Sequence, residues 1–197
     1  MENVVNMKDT PEMYRESDYY DGVFAKDLEW YAADPEQCQY FPIWSRMVEQ
    51  IKGPVIDVGC GVGQCAQLIV RRGHEFVVGL DFSKVAIQKA TKRNPGLEFV
   101  CDDVMLFNFT KYNYNTIFSS ETFEHIKDDL GFLERIPWGK RIVISVPNAH
   151  AIGHMRYFDS IEDVKNRYKS HIEIDYSDQY KLVNIMFFII SGTRRSI

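Results

Sequence analysis

One segment constrains the fold of this chain more than any other: a short run of mainly β-branched residues that leads into a glycine-rich turn. Residues 55–58 read Val-Ile-Asp-Val, and Gly59, Gly61 and Gly63 follow at alternate positions. Such a run predicts a buried strand, and the glycines let the backbone turn tightly and approach a ligand closely. A helical pattern starts at Gln64. The segment therefore predicts a strand, loop and helix unit, in which a ligand binds beside the helix N-terminus.

After Pro54, strand patterns alternate with helical patterns along most of the chain. This alternation predicts an α/β fold: a doubly wound, mostly parallel sheet of seven strands with helices on both faces. No helical pattern separates the last two strands, so the last strand is expected to run antiparallel. The predicted strands are 55–58, 76–80, 97–101, 116–119, 141–146, 171–176 and 183–190, and the predicted helices are 64–72, 84–93, 123–135 and 160–168.

The chain length and charge limit the classes of protein to consider. With 197 residues, we expect a single domain overall, with residues 53–197 as its core and residues 1–52 as an N-terminal, aromatic-rich helical cover of two helices. The net charge of −5 disfavours a nucleic-acid partner, because nucleic-acid-binding proteins usually carry a surplus of basic residues. No signal peptide is recognisable, and the apolar stretch 185–190 is too short to span a membrane. We expect a cytoplasmic protein without a membrane partner, either a monomer or a homodimer.

A carboxylate lies near the end of each of the first two strand patterns. Asp81, about twenty residues beyond the glycine turn, ends the second strand, where it can accept hydrogen bonds from ribose hydroxyls. A dinucleotide-binding fingerprint would have a third glycine where Gln64 stands. Asp57 would repel a pyrophosphate, but it suits a ligand that carries an ammonium group. The pattern therefore favours a nucleoside ligand with a cationic portion.

The segment 57–63 (Asp-Val-Gly-Cys-Gly-Val-Gly) resembles the first motif of the class I S-adenosylmethionine-dependent methyltransferases, in particular those that act on small molecules. The resemblance covers nearly all of residues 55–190. It implies S-adenosyl-L-methionine as the cofactor and S-adenosyl-L-homocysteine as the product. It also implies that the loop, including the Cys60 backbone, and Asp57 hold the methionine portion of the cofactor.

Two later segments strengthen the resemblance. Residues 99–104 resemble the stretch whose acid, here Asp103, bonds the adenine amino group, although Asp102 stands where the family usually has glycine. Residues 119–125 resemble the family's E-x-L-E-H stretch, with Phe123 in place of leucine. The cofactor-binding residues that the resemblance implies are Asp57, Gly59, Cys60, Gly61, Gly63, Asp81, Phe82, Asp102, Asp103, Val104, Ser120 and Glu121.

The catalytic candidates lie where predicted strands end. A sulfonium methyl group is already activated, so the enzyme mainly aligns the acceptor and excludes water, and an oxygen acceptor also benefits from a general base. Glu121 and His125 after the fourth strand, and His154 after the fifth, are the candidate catalytic residues. On a helix, Glu121, Glu124 and His125 would share one face and could hold a divalent ion. We interpret Glu121 instead as lining the cofactor pocket, with Glu124 and His125 at the start of a helix, and we expect no metal site.

The acceptor class follows by elimination. The chain lacks the Pro-Pro-Tyr/Phe motif of amino-DNA methyltransferases and the Pro-Cys pair of cytosine C5 enzymes, so we expect a small-molecule acceptor. The alternatives are a catalytically silent protein of the same fold that binds the cofactor, and a methyltransferase acting on RNA or protein. Because the aromatic residues are concentrated near the N-terminus, we expect part of that region to close over the acceptor. The candidate substrate contacts are Tyr14, Tyr19, Tyr20, His150 and His154.

Overall fold

A single sheet organises the computed structural model, which describes residues 14–26 and 28–196; the first 13 residues of the predicted cover lie outside the described residues. The sheet has seven strands in the order β3-β2-β1-β4-β5-β7-β6. Strands β1 to β5 are parallel, and β7 runs antiparallel to both of its neighbours. The prediction of fold class is therefore confirmed. The strands are β1 Val55–Val58, β2 Phe76–Asp81, β3 Phe99–Cys101, β4 Thr116–Ser120, β5 Arg141–Pro147, β6 Ile172–Leu182 and β7 Ile185–Arg194.

Helices cover both faces of the sheet and divide the core into two clusters. On one face, apolar side chains of α3 and α4 pack against Val55, Phe118 and Val143. On the other face, α6 and α7 pack against Ile56 and Ile142. Burying both faces explains why the central strands are almost entirely apolar. The helices are α1 Ser17–Ala25, α2 Glu29–Ala32, α3 Phe41–Val48, α4 Gln64–Arg71, α5 Lys84–Arg93, α6 Asp129–Arg135 and α7 Ile161–Tyr168.

The N-terminal region contains three helices, α1 to α3, where the sequence predicted two. Helix α3 belongs to the core, because Ile43 and Met47 are fully buried against the sheet. Helix α1 is attached to the N-terminus of α5 through Asp21, whose Oδ1 accepts hydrogen bonds from the Ser83 hydroxyl at 2.5 Å and the Val85 amide at 3.1 Å. A carboxylate in this position is stabilised by the unpaired amides of the helix end.

The predicted helix 123–135 is wrong over its first half, since α6 begins only at Asp129. The Arg156 guanidinium binds the carbonyl oxygens of Phe123 and Ile126 at 2.7 Å and that of Lys127 at 3.0 Å. Because Arg156 satisfies these carbonyl oxygens, they do not need the hydrogen bonds of a helix. Residues 121–128 therefore form a series of turns. The prediction that Glu121, Glu124 and His125 share a helical face is wrong for the same reason.

The last two strands form a hairpin that is longer than predicted. The turn between them includes Val183, whose φ is +53°. Strand β6 alternates half-buried and exposed residues along its length, as expected for an edge strand with one face on the core. No helix within the part of the chain that the structure describes is long and apolar enough to cross a membrane.

Candidate functional site

The glycine loop between β1 and α4 brings the backbone against the turn that follows β4. Gly59 has a φ of +71°, and a Cβ atom at this position would lie 2.1 Å from Thr122 Oγ1. Any side chain would therefore collide with Thr122, in addition to the strain of a left-handed conformation. The Gly59 and Cys60 amides donate to the Leu80 carbonyl at 2.7 and 3.0 Å, which ties the loop to β2.

Asp81 ends β2 and joins the loop to the start of α5. Its Oδ2 accepts a hydrogen bond from the Gly61 amide and its Oδ1 from the Ser83 amide, both at 2.9 Å. The side chain is only 7% exposed, and burial raises the pKa of its carboxyl to about 6. A carboxylate can accept about four hydrogen bonds, so each oxygen retains capacity for a donor from a ligand.

Asp57 lies in β1, beneath the glycine loop, and is only 1% exposed. Among the residues that the structure describes, none forms a hydrogen bond with its Oδ2. Burial, with a further contribution from the charge of Asp81, raises the pKa of Asp57 to about 8. A buried carboxyl without a donor is costly in its charged form, so this position suits a cationic ligand group.

We expect the stability of the ligand-free protein to fall between pH 5 and pH 8.5 because of Asp57. An acid whose pKa is higher in the folded than in the unfolded state stabilises the fold below its unfolded pKa near 4, and this contribution is lost as the pH rises through about 8. Urea unfolding of wild type and Asp57→Asn at both pH values measures it. The loss should be larger in wild type by about 1 kcal/mol or more; equal losses would contradict the account.

Two cavities adjoin at the carboxyl ends of the strands. The first, here called the Asp81 cavity, has a volume of about 570 Å³ and is lined by Tyr14, Tyr20, Asp81, Phe82, Asp103 and Val104 among others. The second, the Trp44 cavity, has a volume of about 380 Å³, and its lining includes Tyr40, Trp44, Asp57, Gly61, Ser120 and Phe187. The side chains of Phe24, Tyr31, Glu121 and His125, together with Gly59, border both cavities. A ligand can therefore extend from one cavity into the other.

Glu121 stands at this junction in a strained conformation. It is a non-glycine residue with a φ of +54°, and such residues concentrate at functional sites. A chain of hydrogen bonds holds its side chain: Trp44 Nε1 donates to Ser120 Oγ at 3.1 Å, Ser120 and Ser145 hydroxyls are 3.0 Å apart, and Ser145 donates to Glu121 Oε1 at 2.8 Å. Burial raises the pKa of Glu121 to about 8, so protonated and ionised forms are both accessible near neutral pH.

Two histidines meet beside Glu121. The rings of His125 and His154 lie 4.7 Å apart, edge to face. Burial lowers the pKa of His125 to about 4 and also lowers the pKa of His154, so both rings are neutral at pH 7. The Tyr20 hydroxyl of α1 lies 2.9 Å from His125 Nδ1. The junction therefore offers neutral imidazoles that can accept a proton.

Comparisons with known proteins agree with this geometry. Residues 55–136 match the family described as "Methyltransferase domain". The chain is 36% identical over 112 residues to the 2-heptyl-1-hydroxyquinolin-4(1H)-one methyltransferase of Mycobacteroides abscessus, covering 49% of each protein. It is 23% identical over 164 residues to the eEF1A lysine and N-terminal methyltransferase of Mus musculus, covering 70% of the chain and 23% of that protein.

Among solved structures, the chain resembles the N-methyltransferase NodS from Bradyrhizobium japonicum WM9 in complex with S-adenosyl-L-homocysteine. The TM-score is 0.70 at 12% identity, over 92% of this chain and 100% of that one. Residues 55–136 therefore match a methyltransferase domain, and the fold of the described chain is that of the S-adenosylmethionine-dependent methyltransferases. The chain spans about half the length of its Mycobacteroides abscessus relative and about a quarter of the mouse relative.

Most of the predicted cofactor residues line the two cavities. Two of them lie outside both cavities. Gly63 is the N-cap of α4 and has a φ of +75°. The Asp102 carboxylate accepts a hydrogen bond from the Asp103 amide at 2.9 Å. Of the adjacent pair, Asp103 is therefore the acid that faces the Asp81 cavity. The predicted cofactor residues that line a cavity are Asp57, Gly59, Cys60, Gly61, Asp81, Phe82, Asp103, Val104, Ser120 and Glu121.

The predicted substrate residues divide in the same way. Tyr14 and Tyr20 line the Asp81 cavity, and His154 lines the Trp44 cavity. Tyr19 lines neither cavity and is 40% exposed, while the His150 ring packs against Tyr157 at 5.3 Å, outside both cavities. Only part of the predicted substrate set therefore faces a cavity.

The sequence analysis did not assign several residues that shape the site. Tyr40, Trp44 and Phe187 form an aromatic wall of the Trp44 cavity, with Tyr40 and Trp44 stacked at 5.8 Å. The density of aromatic residues before Trp44 was the available signal for the first two. Phe187, from β7, carried no signal, because an aromatic residue in an apolar strand is ordinarily part of the core.

Proposed function

We propose that this chain transfers a methyl group from S-adenosyl-L-methionine to a small-molecule acceptor. The methionine portion would lie over the glycine loop with its ammonium group toward Asp57. The ribose would lie against Asp81, and the adenine would lie beside Asp103 and Val104. This arrangement rests on the position of each carboxylate along the two adjoining cavities.

The observation that carries the proposal is that Asp57 Oδ2, beneath the glycine loop, has no hydrogen-bond donor among the described residues. A pyrophosphate-bearing dinucleotide would bring negative charge to this point, whereas the ammonium group of the methionine portion would provide a charge-assisted hydrogen bond. Asp81 stands about 20 residues further along the chain and supplies the acid for the ribose hydroxyls. The carboxyl is thus matched to the ligand that the family binds.

The acceptor would enter from the Trp44 cavity. Its lining combines the aromatic wall of Tyr40, Trp44 and Phe187 with the polar junction at Glu121 and His125. The stacked pair favours a flat apolar body, and the junction favours a polar atom directed at the cofactor. The relative with 36% identity is named for a hydroxyquinolinone, and the relative with 23% identity is named for a protein substrate. The aromatic-lined cavity and the higher identity support a small molecule.

Each side chain at the junction would have a distinct part in the transfer. The cofactor, when bound, supplies an electrophilic methyl group. The loop and Asp57 fix the position of its methionine portion, and the aromatic wall holds the acceptor in line. The neutral His125 and His154 can take the proton that an oxygen or nitrogen acceptor loses. Tyr14 and Tyr20 of the N-terminal region lie over the Asp81 cavity and exclude water from it.

The direct test is turnover with a panel of hydroxylated, carboxylated and amino-bearing aromatic acceptors. The protein is incubated with S-adenosyl-L-methionine, and S-adenosyl-L-homocysteine and methylated products are followed by mass spectrometry. A product with at least one acceptor supports the proposal. Cofactor binding without any transfer would support the silent scaffold, and transfer to protein or RNA alone would support the other alternative.

Tyr40→Ala should weaken acceptor binding without affecting the cofactor. Removing half of the stacked pair costs about 1 kcal/mol or more, so we expect KM for an aromatic acceptor to rise about fivefold to tenfold. The affinity for S-adenosyl-L-homocysteine should stay unchanged. Trp138→Ala is the matched control, because Trp138 is 76% exposed and precedes β5, whereas the Trp44 cavity lies at the other end of this strand, beside Pro147. Equal KM values for Tyr40→Ala and wild type would exclude this wall as the acceptor site.

The N-terminal region would act as a lid over the reacting groups. Helix α1 supplies Tyr20 to both the Asp81 cavity and His125. Removal of residues 1–22 should therefore reduce cofactor affinity only in part while abolishing turnover. An unchanged turnover rate would rule out the lid.

A further inference from the structure

A buried carboxylate without a hydrogen-bond donor stands next to the two histidines of the junction. Glu124 is only 1% exposed, and no residue in the described ranges forms a hydrogen bond with either of its carboxylate oxygens. Buried carboxylates in folded proteins are almost always paired with a donor or a cation. The Arg156 charge favours the ionised form of Glu124, but no described residue donates a hydrogen bond to it, so a cation bound directly to its oxygens would stabilise that form.

The His125 ring nitrogen that faces Glu124 is a hydrogen-bond acceptor, as the Glu124 carboxylate is. The Gly153 carbonyl oxygen can only accept, and it lies 2.8 Å from His125 Nδ1, so Nδ1 carries the hydrogen of the neutral ring. The lone pair is then on Nε2, which lies 3.8 Å from Glu124 Oε1. This separation is too long for a hydrogen bond. An acceptor nitrogen and a carboxylate thus face each other across a gap that a cation would fill.

His154 completes the arrangement from the loop that follows β5. Its Nδ1 lies 2.8 Å from the Ala149 carbonyl oxygen, which fixes the same tautomer as in His125 and places the ring lone pair on Nε2. Ligand atoms of Glu124, His125 and His154 all lie within 4.8 Å of one another. Histidines that bind metal ions commonly donate their other ring nitrogen to a backbone carbonyl, as both of these do.

We propose that Glu124, His125 and His154 form a binding site for a divalent transition-metal ion of the zinc type. Two imidazoles and one carboxylate are the ligand set of His₂Glu zinc sites, whereas Mg²⁺ and Ca²⁺ prefer oxygen ligands throughout. Zinc lies about 2.1 Å from such ligands, so two of them stand roughly 3.4 Å apart, and the three side chains would close by about an ångström. This reverses the expectation from sequence that the chain has no metal site.

The set also differs from the one that sequence spacing suggested. Glu121, the first residue of that set, is held by the Ser145 hydroxyl and takes no part. His154 replaces it because residues 121–128 are turns, and the 149–156 loop packs against them through the Met155 amide and the Glu124 carbonyl at 2.7 Å. All three ligand residues line the Trp44 cavity, and because an ion would occupy both Nε2 lone pairs, His125 and His154 would take a proton from the acceptor only in the ion-free protein.

The test measures metal binding without any cofactor or acceptor, so it is independent of methyl transfer. Zn²⁺ is titrated into the chelator-treated full chain in competition with a chromophoric chelator, and Co²⁺ is used as a spectroscopic probe. We expect one Zn²⁺ per chain and the intense visible absorption of four-coordinate Co²⁺. Glu124→Gln and His154→Gln should each weaken Zn²⁺ binding by more than about 100-fold. Replacing a residue that only hydrogen-bonds to a metal ligand typically weakens binding by roughly 10- to 100-fold. His74→Gln, a histidine between α4 and β2, is the matched control and should bind Zn²⁺ as wild type does.

Folding of the variants is checked by thermal unfolding without metal. Glu124→Gln removes no hydrogen bond of the described residues, so its midpoint should be at least that of wild type, and added Zn²⁺ should raise the midpoint of wild type only. No stoichiometric binding to wild type would overturn the proposal. Equal Zn²⁺ affinity of wild type, Glu124→Gln and His154→Gln would overturn it too, because the ion would then be bound elsewhere, for example by cysteines.

Discussion

Replacing Arg156 by leucine should lower the free energy of unfolding by about 3–5 kcal/mol. Arg156 is 3% exposed, and its guanidinium binds three carbonyl oxygens of residues 123–127 and lies 3.5 Å from Asp129. Leucine would leave these buried carbonyls without a donor and deprive Asp129 of one of its cations. Because residues 121–128 carry Glu121, Glu124 and His125, the same variant should disorder the junction between the cavities. Urea unfolding measures the loss.

Arg71→Leu provides the matched control for this prediction. Arg71 also binds a carboxylate, since its guanidinium contacts Asp34 at 2.7 and 2.9 Å, but it lies on the surface. Exposed ion pairs contribute little to stability, so this variant should unfold close to wild type. If Arg156→Leu and Arg71→Leu changed the midpoint equally little, the buried arginine would not be what holds residues 121–128.

Asp81→Ala should weaken the binding of S-adenosyl-L-homocysteine by roughly 10- to 200-fold, which corresponds to about 1.5–3 kcal/mol. The ribose hydroxyls would lose a charged acceptor, and the Gly61 amide would lose the bond that positions the loop. Calorimetric titration measures the affinity, and urea unfolding separates a loss of binding from a loss of folding.

Asp178→Ala is the control for that titration. Asp178 lies on β6 and pairs with Arg46 at 3.1 Å, away from both cavities. Its affinity for S-adenosyl-L-homocysteine should equal that of wild type. Undiminished binding by a folded Asp81→Ala would remove Asp81 from the cofactor site.

The part of the fold that the sequence predicts well depends on local patterns. Strand β1, the glycine loop and α4 follow one another within 17 residues, and each is determined by neighbours along the chain. The same holds for α5, whose N-cap Ser83 accepts a hydrogen bond from the Ala86 amide at 3.1 Å, and for α7, whose N-cap Ser160 does so from Asp163. Turns and helix caps can be predicted from the local sequence, because they do not depend on tertiary contacts.

The part that the sequence does not predict depends on contacts between distant residues. The turns at 121–128 exist because Arg156, about 30 residues later, binds their carbonyls. The histidine pair is likewise formed by residues 29 positions apart, and no spacing rule relates them. For Glu121, Glu124 and His125 the helical pattern gave the wrong geometry, because a buried guanidinium outweighed local helix propensity.

The cofactor side of the site was more predictable than the acceptor side for a related reason. Asp57 lies one residue before the end of β1 and Asp81 ends the adjacent parallel strand β2, so their positions follow from the topology. The aromatic wall combines α3 with β7, which lie about 140 residues apart in the chain. Only the folded structure brings Tyr40, Trp44 and Phe187 together.

The central claim is that the glycine loop and its carboxylates bind S-adenosyl-L-homocysteine, and one titration tests it most directly. The full chain is titrated with this ligand by calorimetry at pH 7 in two buffers of different ionisation enthalpy. We predict one site per chain and a net release of protons, because the ligand ammonium would ionise Asp57, whose pKa in the free protein is about 8. Asp57→Asn should release fewer protons. No saturable binding by the folded wild-type protein would contradict the account.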